Sequence, residues 1–203
     1  MKYLEVIYKD KPKTQYPFQL CQHIKQRLGL ETGAKLLDAG CGLGYFTEAF
    51  RELGIDAVGL DREIDFERDE FPFKEGILDV VFTKSVIEHL GKPDNFIKEI
   101  RRVLKPNGRI IIMTPDWQSQ MRIFYNDYTH VHPYDKDSLG DLLKIYDFKE
   151  VETEKFYQLP ILWKYPILKI ISKFLQIFPV KGTHKNKFIR WSRELMVLAI
   201  AKK

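Results

Sequence analysis

The chain has 203 residues, of which 44% are hydrophobic and 30% are charged, a composition that excludes an intrinsically disordered protein. This length predicts a single domain with a core of its own. The two cysteines, Cys21 and Cys41, have neither metal-binding nor disulfide spacing, which predicts a reducing, cytoplasmic environment. Charged residues within the segment 1–10 indicate that it is not a signal peptide.

The net charge of +5 is distributed unevenly along the chain. Residues 159–203 contain ten Lys or Arg and one acid, Glu194, for a net +9, so residues 1–158 carry −4. A basic segment on an acidic body predicts an anionic partner, such as a phosphorylated substrate, a nucleic acid or a membrane surface. The alternative is that the basic residues only keep an apolar segment soluble.

Apolar periodicity predicts helices that alternate with strands. In chain order they are a helix at 17–30 closed by Gly29, a strand at 35–39, a helix at 46–53 closed by Gly54, strands at 56–60 and 77–83, a helix at 94–104, a strand at 109–114, a helix at 138–145, and strands at 149–156 and 195–201. This order predicts an α/β fold with a doubly wound, Rossmann-like and mostly parallel sheet. Little helix of the parallel-crossover type separates the last two strands, which predicts an antiparallel hairpin at the C-terminal edge.

Three glycines, Gly40, Gly42 and Gly44, directly follow the first predicted strand. Glycine permits a tight turn there and lets the backbone approach a ligand beyond the carboxyl end of the strand. A dinucleotide site would have a small residue where Tyr45 stands. Asp38, two residues before the first glycine, repels a pyrophosphate but suits a cationic ligand, such as the ammonium and sulfonium of S-adenosylmethionine.

A second carboxylate, Asp61, ends the next predicted strand, 17 residues past Gly44. At that place it can accept both hydrogen bonds from a ribose 2′,3′-diol. The alternative is that Asp38 and Asp61 only cap the helices that follow them. Together with the glycines, the two acids favour a ligand site.

Six short motifs occur in order within residues 35–113. They are Leu-Leu-Asp-Ala-Gly-Cys-Gly-Leu-Gly at 36–44, Val-Gly-Leu-Asp at 58–61, Phe-Pro-Phe at 71–73, Leu-Asp-Val-Val at 78–81, Ser-Val-Ile-Glu-His-Leu at 85–90 and Leu-Lys-Pro-Asn-Gly at 104–108. Jointly they resemble the core of class I S-adenosylmethionine-dependent methyltransferases. The resemblance implies a sheet of seven strands whose last hairpin is antiparallel, and a cofactor, S-adenosyl-L-methionine, that leaves as S-adenosyl-L-homocysteine.

The same resemblance implies which residues bind this cofactor. Those in or beside the two acidic motifs are Asp38, Gly40, Cys41, Gly42, Asp61 and Arg62. Those after the family's fourth strand, beside the adenosine or methionine portion, are Lys84, Ser85 and His89.

The chain departs from the family between Asp61 and the Phe-Pro-Phe motif. Only residues 62–70 intervene, whereas a parallel crossover needs about a dozen residues or more. We therefore expect a shortened third-strand region. The adenine contact is assigned to Asp65 with Phe66, while Glu67 and Asp69 stay open as alternatives.

Candidate groups for proton transfer are concentrated in residues 125–134, which contain two histidines, an aspartate and three tyrosines. Methyl transfer from a sulfonium is an in-line displacement, in which the protein aligns the acceptor and can supply a base. We predict His130 as the base, with His132 and Asp127 as further catalytic candidates. The alternative is a polar loop whose histidines cap the helix that starts near Ser138.

A metal site is a further alternative, because Glu88 and His89 with His130 or His132 offer three ligands for a divalent cation. The arrangement resembles small-RNA 2′-O-methyltransferases and some ubiquinone-pathway O-methyltransferases, whose pattern is Glu-x-x-Glu-His plus a distant His. Here Ser85 stands at the first Glu position, so one ligand is missing. The prediction is therefore that no metal is used.

Residues 160–190 are predicted to be a basic and apolar insertion before the last strand. Within it, apolar residues from Ile167 to Phe178 repeat with helical spacing, and Lys169, Lys173 and Gln176 share the opposite side. The apolar stretch is too short to span a bilayer, which takes about 20 residues. An interfacial helix with its lysines facing lipid headgroups, a lid over an apolar substrate, a dimer contact and simple core all remain open.

The sequence thus predicts a methyltransferase, monomeric or dimeric, that acts on oxygen or nitrogen of a small-molecule, lipid-like or sugar-like acceptor. RNA 2′-O-methylation is the first alternative, favoured by a pI of about 9.0 but without an aromatic-rich RNA-binding signature. A cofactor-binding partner subunit without catalysis is the second. An NAD-dependent oxidoreductase is disfavoured by Asp38 and Tyr45.

Overall fold

A computed structural model describes residues 14–61, 63–178 and 185–203. The helices are α1 (Tyr16–Leu28), α2 (Tyr45–Glu52), α3 (Asp94–Val103), α4 (Trp117–Gln120), α5 (Lys136–Ile145), α6 (Pro160–Lys164), α7 (Lys169–Gln176) and α8 (Lys187–Arg193). The strands are β1 (Lys35–Ala39), β2 (Asp56–Leu60), β3 (Leu78–Lys84), β4 (Leu104–Pro115), β5 (Lys149–Phe156) and β6 (Met196–Lys202). Short 3-10 helices lie at Ile87–His89, Phe124–Asn126 and Pro166–Leu168.

The strands form one mixed sheet in the order β2-β1-β3-β4-β6-β5. Strands β1 to β4 pair in parallel, whereas β6 is antiparallel to both β4 and β5. The predicted α/β fold with a mostly parallel sheet and an antiparallel C-terminal hairpin is confirmed.

The sheet has six strands within the described residues, not the seven that the resemblance implied. Between β2 and β3, residues 63–77 form turns and bends. This stretch is too short for a crossover helix followed by a strand and then the return to β3. The edge of the sheet is therefore β2, in agreement with the expected shortening.

Local backbone geometry explains where two of the predicted elements end or begin. Helix α1 ends because Gly29 adopts a left-handed φ of 61° and its N–H closes on the last turn, as predicted. Strand β4 begins at Leu104 instead of at residue 109, because Leu104 already pairs with Leu78 and the register then shifts before Arg109. Asn107, with a φ of 64°, turns within the strand instead of before it.

Helices cover both faces of the sheet, which explains why its central strands are mostly apolar. On one face, α1 and α2 bury Leu20 and Phe50 against Phe82 of β3. On the other, α3 and α5 bury Phe96 and Leu139 against β1, β3, β4 and β6. The carboxyl ends of β1 to β4 consequently meet at one edge, where the predicted ligand residues follow each strand.

The described residues between β5 and β6 form α6, a 3-10 turn, α7 and α8, in the region of the predicted insertion. Among the residues with described coordinates, no helix has both the length and the apolar character needed to cross a bilayer. That the whole chain is one domain stays a prediction.

Candidate functional site

The glycine-rich loop after β1 depends on backbone conformations that favour glycine. Gly40, Gly42 and Gly44 have φ values of 82°, 55° and 75°. The N–H groups of Gly40 and Cys41 both donate to the carbonyl of Leu60, at 2.7 and 3.2 Å, so the loop is fixed to the end of β2. A Cβ on Gly40 would collide with the side chain of Val86, which follows β3. The loop therefore has no room for a side chain at this point.

Asp38 lies at the end of β1 with 2% of its surface exposed. Its carboxylate accepts a hydrogen bond of 2.6 Å from the hydroxyl of Thr47 and another from the Thr47 backbone, so it also caps the first turn of α2. Burial raises the pKa of Asp38 to about 6, and the nearby charge of Asp61 adds to this rise. A cationic ligand would favour the ionised form. The partner Thr47 was not predicted, because nothing in the local pattern marks it.

The glycine-rich loop and β2 approach each other closely near Cys41 and Asp61. A Cβ on Gly59 would come within 2.7 Å of the Cys41 sulfur, so glycine is required there too. The backbone N–H of Asp61 donates to Glu63 at 2.9 Å. Burial raises the pKa of Cys41 to about 11, and the charges of Asp38 and Asp61 contribute. Arg62, the next predicted cofactor residue, lies outside the described residues.

The residues predicted to contact adenine form a compact turn after β2. The ring of Phe66 is 9% exposed and lies 4.9 Å from the ring of Phe96, so it belongs to the core. The Asp65 carboxylate accepts from the N–H of Glu67 at 2.9 Å, and Asp69 accepts from the N–H of Asp65 at 2.7 Å. Of the alternatives, Glu67 accepts from the N–H of Gly91 at 2.6 Å. The adenine contact stays a prediction.

Lys84 and Ser85 lie where β3 ends at the same edge of the sheet. Ser85 adopts a left-handed φ of 57°, a conformation that costs free energy in a residue with a side chain. Its N–H donates to the carbonyl of Met113 in β4 at 2.8 Å, which fixes this turn. Burial lowers the pKa of Lys84, whose ammonium lies 5.8 Å from the ring of Phe46.

A buried carboxylate, Glu88, is the centre of the next group of side chains. It is 0% exposed, and one oxygen accepts from the hydroxyl of Thr114 at 2.9 Å. Burial raises the pKa of Glu88 to about 7. Its backbone carbonyl accepts the N–H groups of Val131 and His132, at 2.9 and 3.0 Å. The loop that contains the predicted base is thereby attached to the turn after β3.

The orientation of His130 is fixed by a backbone carbonyl. Its Nδ1 lies 2.8 Å from the oxygen of Phe124. A carbonyl only accepts, so Nδ1 carries the proton, and in the neutral ring Nε2 is the basic nitrogen. The His89 and His130 rings are 4.8 Å apart. Burial and the proximity of His130 lower the pKa of His89.

Asp127 acts on His89 through Thr129. The Thr129 hydroxyl donates to Asp127 at 2.6 Å and lies 2.9 Å from Nδ1 of His89. His132 instead stacks on Tyr134, with ring centroids 5.0 Å apart. Of the three catalytic candidates, the structure thus brings Asp127 and His130 into one network with His89, and it places His132 apart.

The interpretation of the histidines as helix caps is wrong. Helix α5 is capped by Asp135, whose carboxylate accepts the N–H groups of Asp137 and Ser138 at 3.1 and 2.9 Å. The Ser138 hydroxyl in turn accepts the N–H of Asp135 at 3.0 Å. The two histidines therefore have no role at this helix end.

Comparison with known proteins identifies the family to which the chain belongs. Residues 14–153 match a family model described as a methyltransferase domain. The chain belongs to the family of class I S-adenosylmethionine-dependent methyltransferases. The glycine loop, Asp38 and Asp61 fit the predicted cofactor: the loop exposes backbone where a side chain would not fit, and the acids place negative charge beside it.

Individual relatives agree with the family. The chain is 32% identical over 108 residues to the ubiquinone biosynthesis O-methyltransferase of Maricaulis maris, covering 40% of this chain and 41% of that protein. Among solved structures, it resembles a SAM-dependent methyltransferase of Archaeoglobus fulgidus (TM-score 0.65, 21% identity, 100% of this chain and 98% of that one). It also resembles phosphoethanolamine N-methyltransferase 2 of Haemonchus contortus, crystallised with S-adenosyl-L-methionine (TM-score 0.61, 18% identity, 91% and 52%). The chain spans less than half the length of the curated relatives it matches.

Affinity for S-adenosylmethionine is expected to depend on pH through Asp38. Its pKa of about 6 means that the carboxylate is ionised above pH 6 and protonated below it. The affinity should therefore be constant near neutrality and fall by up to about tenfold per pH unit on the acid side. Calorimetric titration on both sides of pH 6 measures this, with Asp38→Asn as the control that should bind weakly at every pH. A fall of the same slope in that variant would assign the titration to another group.

Proposed function

We propose that the methyltransferase transfers the methyl group of S-adenosylmethionine to oxygen or nitrogen of a small-molecule, lipid-like or sugar-like acceptor. The observation that carries the proposal is the position of His130: its basic nitrogen is defined by the Phe124 carbonyl, and it lies beside His89 and Glu88 after β3. When bound, the cofactor supplies an electrophilic methyl group on a sulfonium. The chain supplies the alignment and the base.

In this proposal each cofactor residue binds the part of S-adenosylmethionine that lies beside it. The backbone of Gly40, Cys41 and Gly42 holds the methionine portion, and Asp38 balances its positive charge. Asp61 binds the ribose hydroxyls. The further predicted contacts with the adenosine or methionine portion are Arg62, Asp65, Phe66, Lys84, Ser85 and His89.

His130 would take the proton that a hydroxyl or ammonium acceptor loses as the methyl group arrives. Imidazole is the side chain that most often serves as a general base. Asp127 would act as a positioning residue, since it orients His89 through Thr129. His132 remains a secondary candidate for the base.

A cavity of about 380 Å³ beyond β4 offers room for an acceptor. Its lining combines apolar side chains with cationic ones, and two of its residues, Met121 and Arg122, shortly precede Phe124 in the chain. The lining includes Met121, Arg122, Lys155, Phe178 and Arg193. Apolar and cationic groups together suit an amphiphilic acceptor with an anionic group.

Labelled methyl transfer tests this proposal. The protein and cofactor labelled on the methyl group are incubated with separated lipid, polar small-molecule, protein and RNA fractions of the source cells. Label in the lipid or small-molecule fraction is the expected result. Label in RNA would support the 2′-O-methylation alternative. Cofactor binding without label in any fraction would support the non-catalytic partner subunit.

A mechanism that uses a divalent cation bound beside His130 is a second candidate, and one observation favours it. Ligand atoms of Glu88, His89 and His130 lie within 4.8 Å of one another. Among the residues that the structure describes, no fourth protein ligand joins this group, and Ser85 stands where related metal sites have Glu. We expect labelled transfer to survive exhaustive chelation. Loss of transfer that zinc or manganese restores would establish the metal-dependent mechanism instead.

We also propose a cytoplasmic location and a monomer or dimer. The support for the location is that Cys21 and Cys41 are free thiols. Light scattering of the purified chain would determine the oligomeric state.

A further inference from the structure

Helix α7 exposes its apolar side chains to solvent. Six large apolar residues in and beside it are each more than half exposed: Ile167, Ile170, Ile171, Phe174, Ile177 and Phe178. We call this set the α7 face. A contiguous apolar surface of this kind marks a binding surface in a water-soluble domain.

The fully buried residue of α7 is polar. Ser172 is 0% exposed, and its hydroxyl lies 2.8 Å from that of Ser192, also 0% exposed, in α8. The Gln176 amide donates to the Ser192 carbonyl at 2.9 Å and to the Tyr157 hydroxyl at 3.0 Å. A helix that only covers a core has the opposite orientation, with apolar residues inside. The alternative that this segment is simple core is therefore wrong for the α7 face.

Positive charge surrounds the α7 face. Lys164, Lys169 and Lys173 are exposed along α6 and α7, and Lys185 and Lys187 are exposed before and in α8. The one acid of residues 159–203, Glu194, is buried and paired with Arg190 at 2.8 Å. The surroundings of the face therefore have no exposed carboxylate within residues 159–178 and 185–203.

The positive charge around the α7 face favours one binding partner over another. Two copies of the chain, docked through the same face, would bring two strongly basic segments together, which is unfavourable. An anionic bilayer offers both an acyl boundary for the apolar residues and negative headgroups for the lysines. Long lysine side chains can lie along the apolar surface and keep the ammonium at headgroup level.

The α7 face also reaches the proposed acceptor cavity. Ile177 and Phe178 belong to the face and line the cavity of about 380 Å³, together with Met121 and Arg122 beyond β4. A molecule held in the bilayer surface could therefore enter this cavity without crossing bulk water.

We propose that the α7 face docks in the plane of an anionic lipid bilayer and that the methyl acceptor is an amphiphile presented at that surface. The docking is inferred from the α7 face alone, whereas the nature of the acceptor rests on the proposed function.

Vesicle co-sedimentation of the full chain tests the docking. Vesicles of phosphatidylcholine alone are compared with vesicles that also contain phosphatidylglycerol. The chain should sediment with the anionic vesicles, less so in high salt, and stay in solution with the neutral ones. The variants Phe174→Glu and Lys169→Glu/Lys173→Glu should each lower the partition coefficient by at least about tenfold. Ile145→Glu, an exposed apolar residue on α5, is the matched control and should sediment like the unmodified chain.

Two outcomes would overturn the docking. One is the absence of sedimentation with anionic vesicles, and the other is equal sedimentation of Phe174→Glu and the unmodified chain. A concentration-dependent dimer that Phe174→Glu abolishes would assign the face to a second copy instead. Calorimetric titration of the unmodified chain with S-adenosylhomocysteine separates the two proposals: cofactor binding without vesicle binding counts only against docking, and vesicle binding without cofactor binding counts only against the proposed function. The variants should keep the affinity of the unmodified chain for S-adenosylhomocysteine.

Discussion

Replacing Gly40 by alanine is expected to weaken binding of S-adenosylhomocysteine by at least about 100-fold, equivalent to about 2.8 kcal/mol. Two effects add. The φ of 82° costs an alanine about 1–2 kcal/mol, and the new Cβ meets the side chain of Val86, so the loop must move away from the turn after β3. Calorimetric titration measures the loss, and circular dichroism verifies that the variant is folded.

Gly33→Ala is the matched control for this experiment. Gly33 has the same φ of 82°, but an added Cβ would meet nothing within 4 Å, and the residue precedes β1 at the end away from the loop. It should lose some stability through backbone strain and keep its affinity for S-adenosylhomocysteine. If Gly40→Ala binds as tightly as Gly33→Ala, the loop is not the cofactor cradle.

Replacing His130 by alanine is expected to lower kcat by about 10²–10⁴, the usual contribution of a general base, with the affinity for S-adenosylhomocysteine unchanged. The reason is that His130 has a basic Nε2 defined by the Phe124 carbonyl and lies beside the cofactor residues after β3. Labelled transfer to the acceptor fraction measures kcat. In the variant, kcat should rise with pH as solvent base replaces the imidazole, a response that a purely structural residue would not give.

His132→Ala is the comparison within the same loop. Its ring stacks on Tyr134 and lies outside the group of Glu88, His89 and His130, so a smaller loss is expected. A larger loss in His132→Ala than in His130→Ala would reverse the assignment of the base.

The sequence predicted the central sheet well because its strands are buried on both faces. Leu36–Ala39 and Val80–Thr83 are mostly apolar and buried along their whole length, and glycines such as Gly29 mark where helices end. The conformation of the loop after β1 was also predictable, since backbone with positive φ favours glycine, and the three glycines of the loop do adopt positive φ.

Contacts between distant segments could not be predicted. His89 and His130 are 41 residues apart, and they meet because the Glu88 carbonyl binds the N–H groups of Val131 and His132. The hydrogen bond from Thr47 to Asp38 has no local signal either. The same holds for α7: periodicity predicts an apolar stripe but not the direction in which it faces. The exposure of the α7 face and the buried Ser172–Ser192 contact show that the stripe points outward.

Calorimetric titration of the purified chain with S-adenosylhomocysteine and, separately, with NAD tests which cofactor the loop after β1 binds. The glycine loop, the buried Asp38 and Asp61 predict saturable binding of S-adenosylhomocysteine at one site per chain and no heat from NAD. Saturable binding of NAD without binding of S-adenosylhomocysteine would contradict the account.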